Sequence, residues 1–166
     1  MSTLWLIGMM GAGKTTIGRL VAALTDRAFV DLDAAVESGA GRSVNQIFVD
    51  NGEEAFRDLE SVALAGVAGR DLVAACGGGA VLREGNRDVM RRSGLVVWLQ
   101  AAPETLAVRL QGARDRPLLA SGDVAGSLAV MEAERARAYR EAAHHTVATD
   151  GRTPVEVAGE VVRLWR

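Results

Sequence analysis

The stretch GMMGAGKTT, Gly8 to Thr16, narrows the possible folds more than any other part of this chain. Gly8, four residues, then Gly13, Lys14 and Thr15 match the phosphate-loop pattern G-x-x-x-x-G-K-[ST]. Its flanks agree. TLWLI before it is a short β-type run, and Ile17, Leu20, Val21 and Leu24 after it recur with the spacing of one helix face. In the order strand, glycine loop, helix, successive backbone N–H groups turn in on phosphate oxygens and the helix N-terminus adds about half a positive charge. Spacing excludes a dinucleotide loop, because the third glycine of G-x-G-x-x-G would fall where Thr16 stands.

The chain has 19 basic residues, and Lys14 is the one lysine among them. Arginine serves wherever a solvated cation suffices. A lysine is needed where a compact ammonium on a flexible stem must thread a loop that a planar guanidinium cannot enter. Gly11, Ala12, Gly13, Lys14, Thr15 and Thr16 are therefore the candidate nucleotide contacts, with Lys14 reaching the β- and γ-phosphates of ATP and the Thr15 hydroxyl on Mg²⁺.

The rest of the chain alternates strands and helices. Strands are expected over 3 to 7, 28 to 31, 72 to 76, 95 to 99 and 145 to 148, with helices over 14 to 25, 33 to 67, 85 to 92, 103 to 111, 124 to 142 and 154 to 165. Ser43 with Gln46 and Thr153 with Glu156 have capping-box spacing, and Pro154 suits a first helical position. LVAAC and LVVWL are apolar on both faces, as strands of a helix-covered parallel sheet are. The fold expected is a doubly wound α/β domain spanning 1–166, since 166 residues fit one core.

In such a sheet ligands collect beyond the carboxyl ends of the strands. There the chain places Asp31 and Asp33 after the second strand and Gly77, Gly78 and Gly79 after the third, while Gln100 after the fourth leaves no acidic residue in the usual metal position. The pair in DLD is the nearest substitute: strand alternation would turn Asp31 and Asp33 to one side, one holding Mg²⁺ through water and the other accepting a proton from a substrate hydroxyl. Helix capping is the competing role for Asp33.

A net charge of -2 with scattered basic residues disfavours nucleic acid as a partner. No apolar run is long enough for a membrane span, the N-terminus reads as a buried strand and not as a signal peptide, and a lone Cys76 suits a reducing cytoplasm. Cys76, Trp5 and Trp98 read as core, and His144 and His145 as the start of the last strand.

The phosphate loop, DLD, GRSVNQIF, GEEAFRDLE, CGGGAV, RPLL and ERARAY occur in an order that resembles the shikimate kinases, of the nucleoside monophosphate kinase fold group, over nearly the whole chain. The resemblance implies a five-stranded parallel sheet of order 2-3-1-4-5, a substrate-binding segment at 33–60 and a lid at 112–124. It implies transfer of the γ-phosphoryl group of ATP to the 3-hydroxyl of shikimate, with Lys14, Asp33 and Arg116 central to catalysis and with Asp33, Arg57, Gly78, Gly79 and Arg135 holding shikimate. Arg109 and the loop from Arg152 to Pro154 would sandwich adenine, and Glu60, one helical turn beyond Arg57, would hold that arginine in place. ATP and shikimate are the partners expected of a monomer. Kinases of other hydroxy acids such as gluconate, and nucleotide-dependent switches, share the phosphate loop, but neither demands Arg57, the glycine triplet and Arg135 together.

Overall fold

In the computed structural model of the chain, residues 2–111 and 122–166 are described. Five strands, β1 (Thr3–Ile7), β2 (Ala28–Asp31), β3 (Leu72–Ala75), β4 (Gly94–Gln100) and β5 (His145–Ala148), form one sheet in the order β2-β3-β1-β4-β5. Every pairing is parallel. Each residue of β1 is buried, which accounts for the unbroken apolar run in TLWLI. Trp5, Trp98 and Cys76 lie in the core as expected.

Around the sheet lie α1 (Lys14–Thr25), α2 (Leu32–Ala40), α3 (Val44–Val67), α4 (Glu84–Ser93), α5 (Pro103–Arg109), α6 (Val124–Ala142) and α7 (Pro154–Trp165), with a 3₁₀ turn at Ala80–Leu82. Both capping boxes form, at Ser43 with Gln46 and at Thr153 with Glu156, and Pro154 opens α7. Side-chain caps of this kind are worth about 1 kcal/mol each.

The helices expected over 33 to 67 are two, α2 and α3, and the second is broken at Gly52, whose φ of 83° and ψ of 172° are not helical. One expectation is corrected. Asp31 and Asp33 do not share one side of an extended strand end, because β2 stops at Asp31 and α2 begins at Leu32. The capping residue is Asp31, whose carboxylate accepts from the backbone N–H groups of Asp33 and Ala34. His144 stands just ahead of β5. Its Nδ1 accepts from the N–H of Val96 while its own N–H donates to the Val96 carbonyl, extending the ladder through a side chain.

A second, smaller apolar cluster of Val36, Ile47 and Phe56 lies apart from the main core, with the Phe48 and Phe56 rings 4.9 Å apart. It packs α2 against both halves of α3.

Candidate active site

The carboxyl ends of β1, β2 and β3 lie side by side, with Leu6 opposite Ala75 and Asp31 opposite Ala75 on the other side. The phosphate loop, the DLD turn and the glycine triplet therefore emerge together. Gly8 has φ of 144°, and a Cβ there would strike the Leu99 carbonyl, so the loop leaves β1 along a path only glycine can take. Gly13 caps α1 from the left-handed region, with φ of 96°.

Lys14 folds back over this loop. Its ammonium donates to the carbonyls of Gly8 at 2.8 Å and Met9 at 2.9 Å. Thr15 Oγ1 donates to Asp31 Oδ2 at 2.8 Å, so the two residues expected to serve Mg²⁺ meet at the loop's edge. A hydroxyl and a carboxylate are hard oxygen donors, and Mg²⁺ completes its shell with waters and phosphate oxygens more than with protein groups, so this pair suits it. No cluster of three or more acidic, histidine or cysteine side chains occurs among the described residues that would compete for a metal.

On the other side of the triplet sit the acceptor candidates. A Cβ at Gly77 would lie 2.6 Å from Glu60 Oε1 and 2.8 Å from Asp33 Oδ1. One at Gly79 would overlap the Arg57 guanidinium, and one at Gly78 would come within 3.2 Å of Arg135 Nη1 and 3.5 Å of the Gly8 carbonyl. Bare backbone is what lets Asp33, Arg57, Arg135 and the phosphate loop crowd one spot. A cavity of about 770 Å³ lies beside Arg57 and Arg135, with Phe48, Glu53 and Met131 also in its walls.

Arg57 Nη1 donates to Glu60 Oε2 at 2.8 Å, as the i, i+3 spacing predicts, and Nη2 reaches the more exposed Glu53 at 3.2 Å. Arg57 Nε and Glu60 Oε1 are buried and make no hydrogen bond to described residues. Burial pushes the Glu60 carboxyl above its usual range, and the Arg57 charge opposes that shift. Cys76 lies behind the triplet, Sγ 3.9 Å from Met90 Sδ, and burial raises its thiol far from reactive territory.

Toward β5, Arg109 donates to the Gly11 carbonyl and to Thr149, bridging the phosphate loop and the turn before α7. Arg152 is tied within that turn, to the Ala148 carbonyl and to Glu160 at 2.8 Å. Arg116, with Arg114 and the lid positions up to 121, lies outside the described residues.

Sequence reasoning missed Tyr139. It is fully buried on α6, one turn beyond Arg135, stacks on Trp98 at 5.2 Å, and donates its hydroxyl to the Gly78 carbonyl at 2.6 Å. Its signals in the sequence are that it closes the ERARAY motif and is the sole tyrosine of the chain.

A parallel sheet of order 2-3-1-4-5, a phosphate loop after its central strand and two arginines packed on a glycine triplet beside that loop define a P-loop phosphotransferase. The sequence pattern of shikimate kinases matches residues 10–166. A shikimate kinase of Symbiobacterium thermophilum is 48% identical over 160 residues, covering 95% of this chain and 92% of that protein. The structure of the Acinetobacter baumannii shikimate kinase in complex with shikimate superposes with a TM-score of 0.94 at 36% identity, over 99% of this chain and 92% of that one. This chain belongs to the shikimate kinase family, whose members are ATP-dependent kinases. A gluconokinase of Sinorhizobium meliloti, at 17% identity and a TM-score of 0.59, shares the fold alone.

Proposed function

We propose that this chain transfers the γ-phosphoryl group of ATP to the 3-hydroxyl of shikimate with the following division of labour. Gly11 to Thr16 cradle the phosphates. Lys14, released from the Gly8 and Met9 carbonyls, carries its charge to the β- and γ-phosphates. Thr15 directly and Asp31 through water hold Mg²⁺, which neutralises phosphate charge when bound. Arg109 and the Arg152 to Pro154 turn flank adenine.

Arg57 and Arg135 grip the shikimate carboxylate, where planar guanidinium forks favour paired hydrogen bonds. The backbone of Gly78 and Gly79 approaches the ring, and Asp33 accepts from the hydroxyl that attacks. Arg116, an assignment resting on the RPLL motif, supplies a cation to the transferring phosphoryl group. The observation that carries this reading is the convergence of Asp33, Arg57 and Arg135 on three consecutive glycines within reach of the phosphate loop.

The same reading makes 1–166 one kinase domain with its acceptor segment at 33–60 and its lid at 112–124, working as a cytoplasmic monomer. Among the described residues no helix is long and apolar enough to cross a membrane. ADP release measured with shikimate, quinate, gluconate and no acceptor tests the assignment: turnover with shikimate alone is expected, and equal rates without an acceptor would reduce the chain to a nucleotide hydrolase or switch.

A further inference from the structure

The loop from Gly77 to Leu82 has each of its carbonyls engaged. Gly77 and Gly79 accept from the N–H groups of Ala80 and Leu82. Ala80 accepts from Asn86, and Val81 and Leu82 accept from Arg87. The carbonyl of Gly78 is the one held from a distant element, by the Tyr139 hydroxyl 61 residues away. No cis peptide bond occurs among the described residues, and in a trans peptide the N–H points opposite to the carbonyl across the same plane. Fixing the Gly78 oxygen on Tyr139 therefore fixes the direction of the Gly79 N–H, away from α6. Gly79 packs directly against the Arg57 guanidinium.

We propose that Tyr139 is a positioning residue: through its hydrogen bond to the Gly78 carbonyl it aims the Gly79 N–H at the acceptor beside Arg57. The proposal rests on the acceptor site assigned above. Two features make the tyrosine a stiff anchor. Stacking on Trp98 leaves the ring little freedom, and burial raises the phenol to about 12, so the hydroxyl stays protonated and able to donate. Tyr139 shares α6 with Arg135, one turn earlier, so one helix sets both the arginine and the amide.

Tyr139→Phe keeps the ring and removes the hydroxyl, with both its bond to the Gly78 carbonyl and its contact with Arg135. Its expected effect is a rise in the KM for shikimate of roughly three- to tenfold, the range of one neutral hydrogen bond, with the KM for ATP unchanged. Equal changes in both KM values, or none in either, would overturn the positioning role. If this variant fails to fold, uniform incorporation of 3-fluorotyrosine labels the same residue and no other, since the chain has a single tyrosine. Shikimate without nucleotide is expected to shift its ¹⁹F resonance, and a resonance unmoved at saturating shikimate would overturn the proposal. Calorimetry of wild-type protein with shikimate separates the two ideas. Absent binding there defeats the site assignment itself, whereas normal binding with an indifferent Tyr139→Phe defeats only the positioning role.

Discussion

Arg57 and Glu60 form a buried ion pair 2.8 Å long one turn apart on α3, and the guanidinium faces a backbone stripped to glycine at Gly79. Glu60 fixes one edge of the fork and leaves the buried Nε without a hydrogen bond to described residues. Arg57→Lys keeps the charge but loses the fork, so the KM for shikimate is expected to rise about tenfold or more with the KM for ATP intact. Steady-state kinetics with each substrate varied in turn checks this. A parallel rise in both would move Arg57 out of the acceptor pocket.

Glu60 also leaves a mark on stability. Its folded-state carboxyl is raised above the ordinary value of 4.5, so between that value and the folded one the folded chain holds a proton that the unfolded chain has lost. Stability from this group is present at low pH and declines as pH climbs through the window. Glu60→Gln removes the titration, so the melting temperature of the variant relative to wild type should increase from pH 4.5 upward. A constant difference would show that Glu60 does not titrate in that interval.

Lys14→Arg tests why one lysine stands among the arginines. A guanidinium cannot reproduce the fold-back onto the Gly8 and Met9 carbonyls or the reach to the phosphates, and kcat should fall about 10²-fold or more. Turnover close to wild type would make the lysine incidental.

Thr15 and Asp31 give a metal test. Thr15→Val removes a ligand, and Asp31→Asn removes charge while leaving a side chain equally able to cap α2. Each variant should need about tenfold more Mg²⁺ for half-maximal activity, with the melting temperature of Asp31→Asn little changed. An unaltered Mg²⁺ titration in both would place the metal elsewhere.

Local patterns carried much of this architecture. Lys14–Thr25, both capping boxes and the sheet's apolar strands were legible because their signals lie within a few residues of one another. Asp31 was misjudged because strand alternation and helix capping compete at a strand end, and the cap won by satisfying two backbone N–H groups. The break at Gly52 was missed because a lone glycine within a helical pattern is compatible with an unbroken helix, and only its backbone angles tell the two apart. Tyr139 closes the ERARAY motif, but its role was out of reach, since its partner lies 61 residues earlier and no periodicity links them.

The small cluster of Val36, Ile47 and Phe56 is distinct from the core beneath the sheet and meets it through Ala63, so the part of α3 that carries Arg57 has apolar support of its own. Loosening that support is expected to tell on the grip of Arg57 before it reaches the phosphate loop.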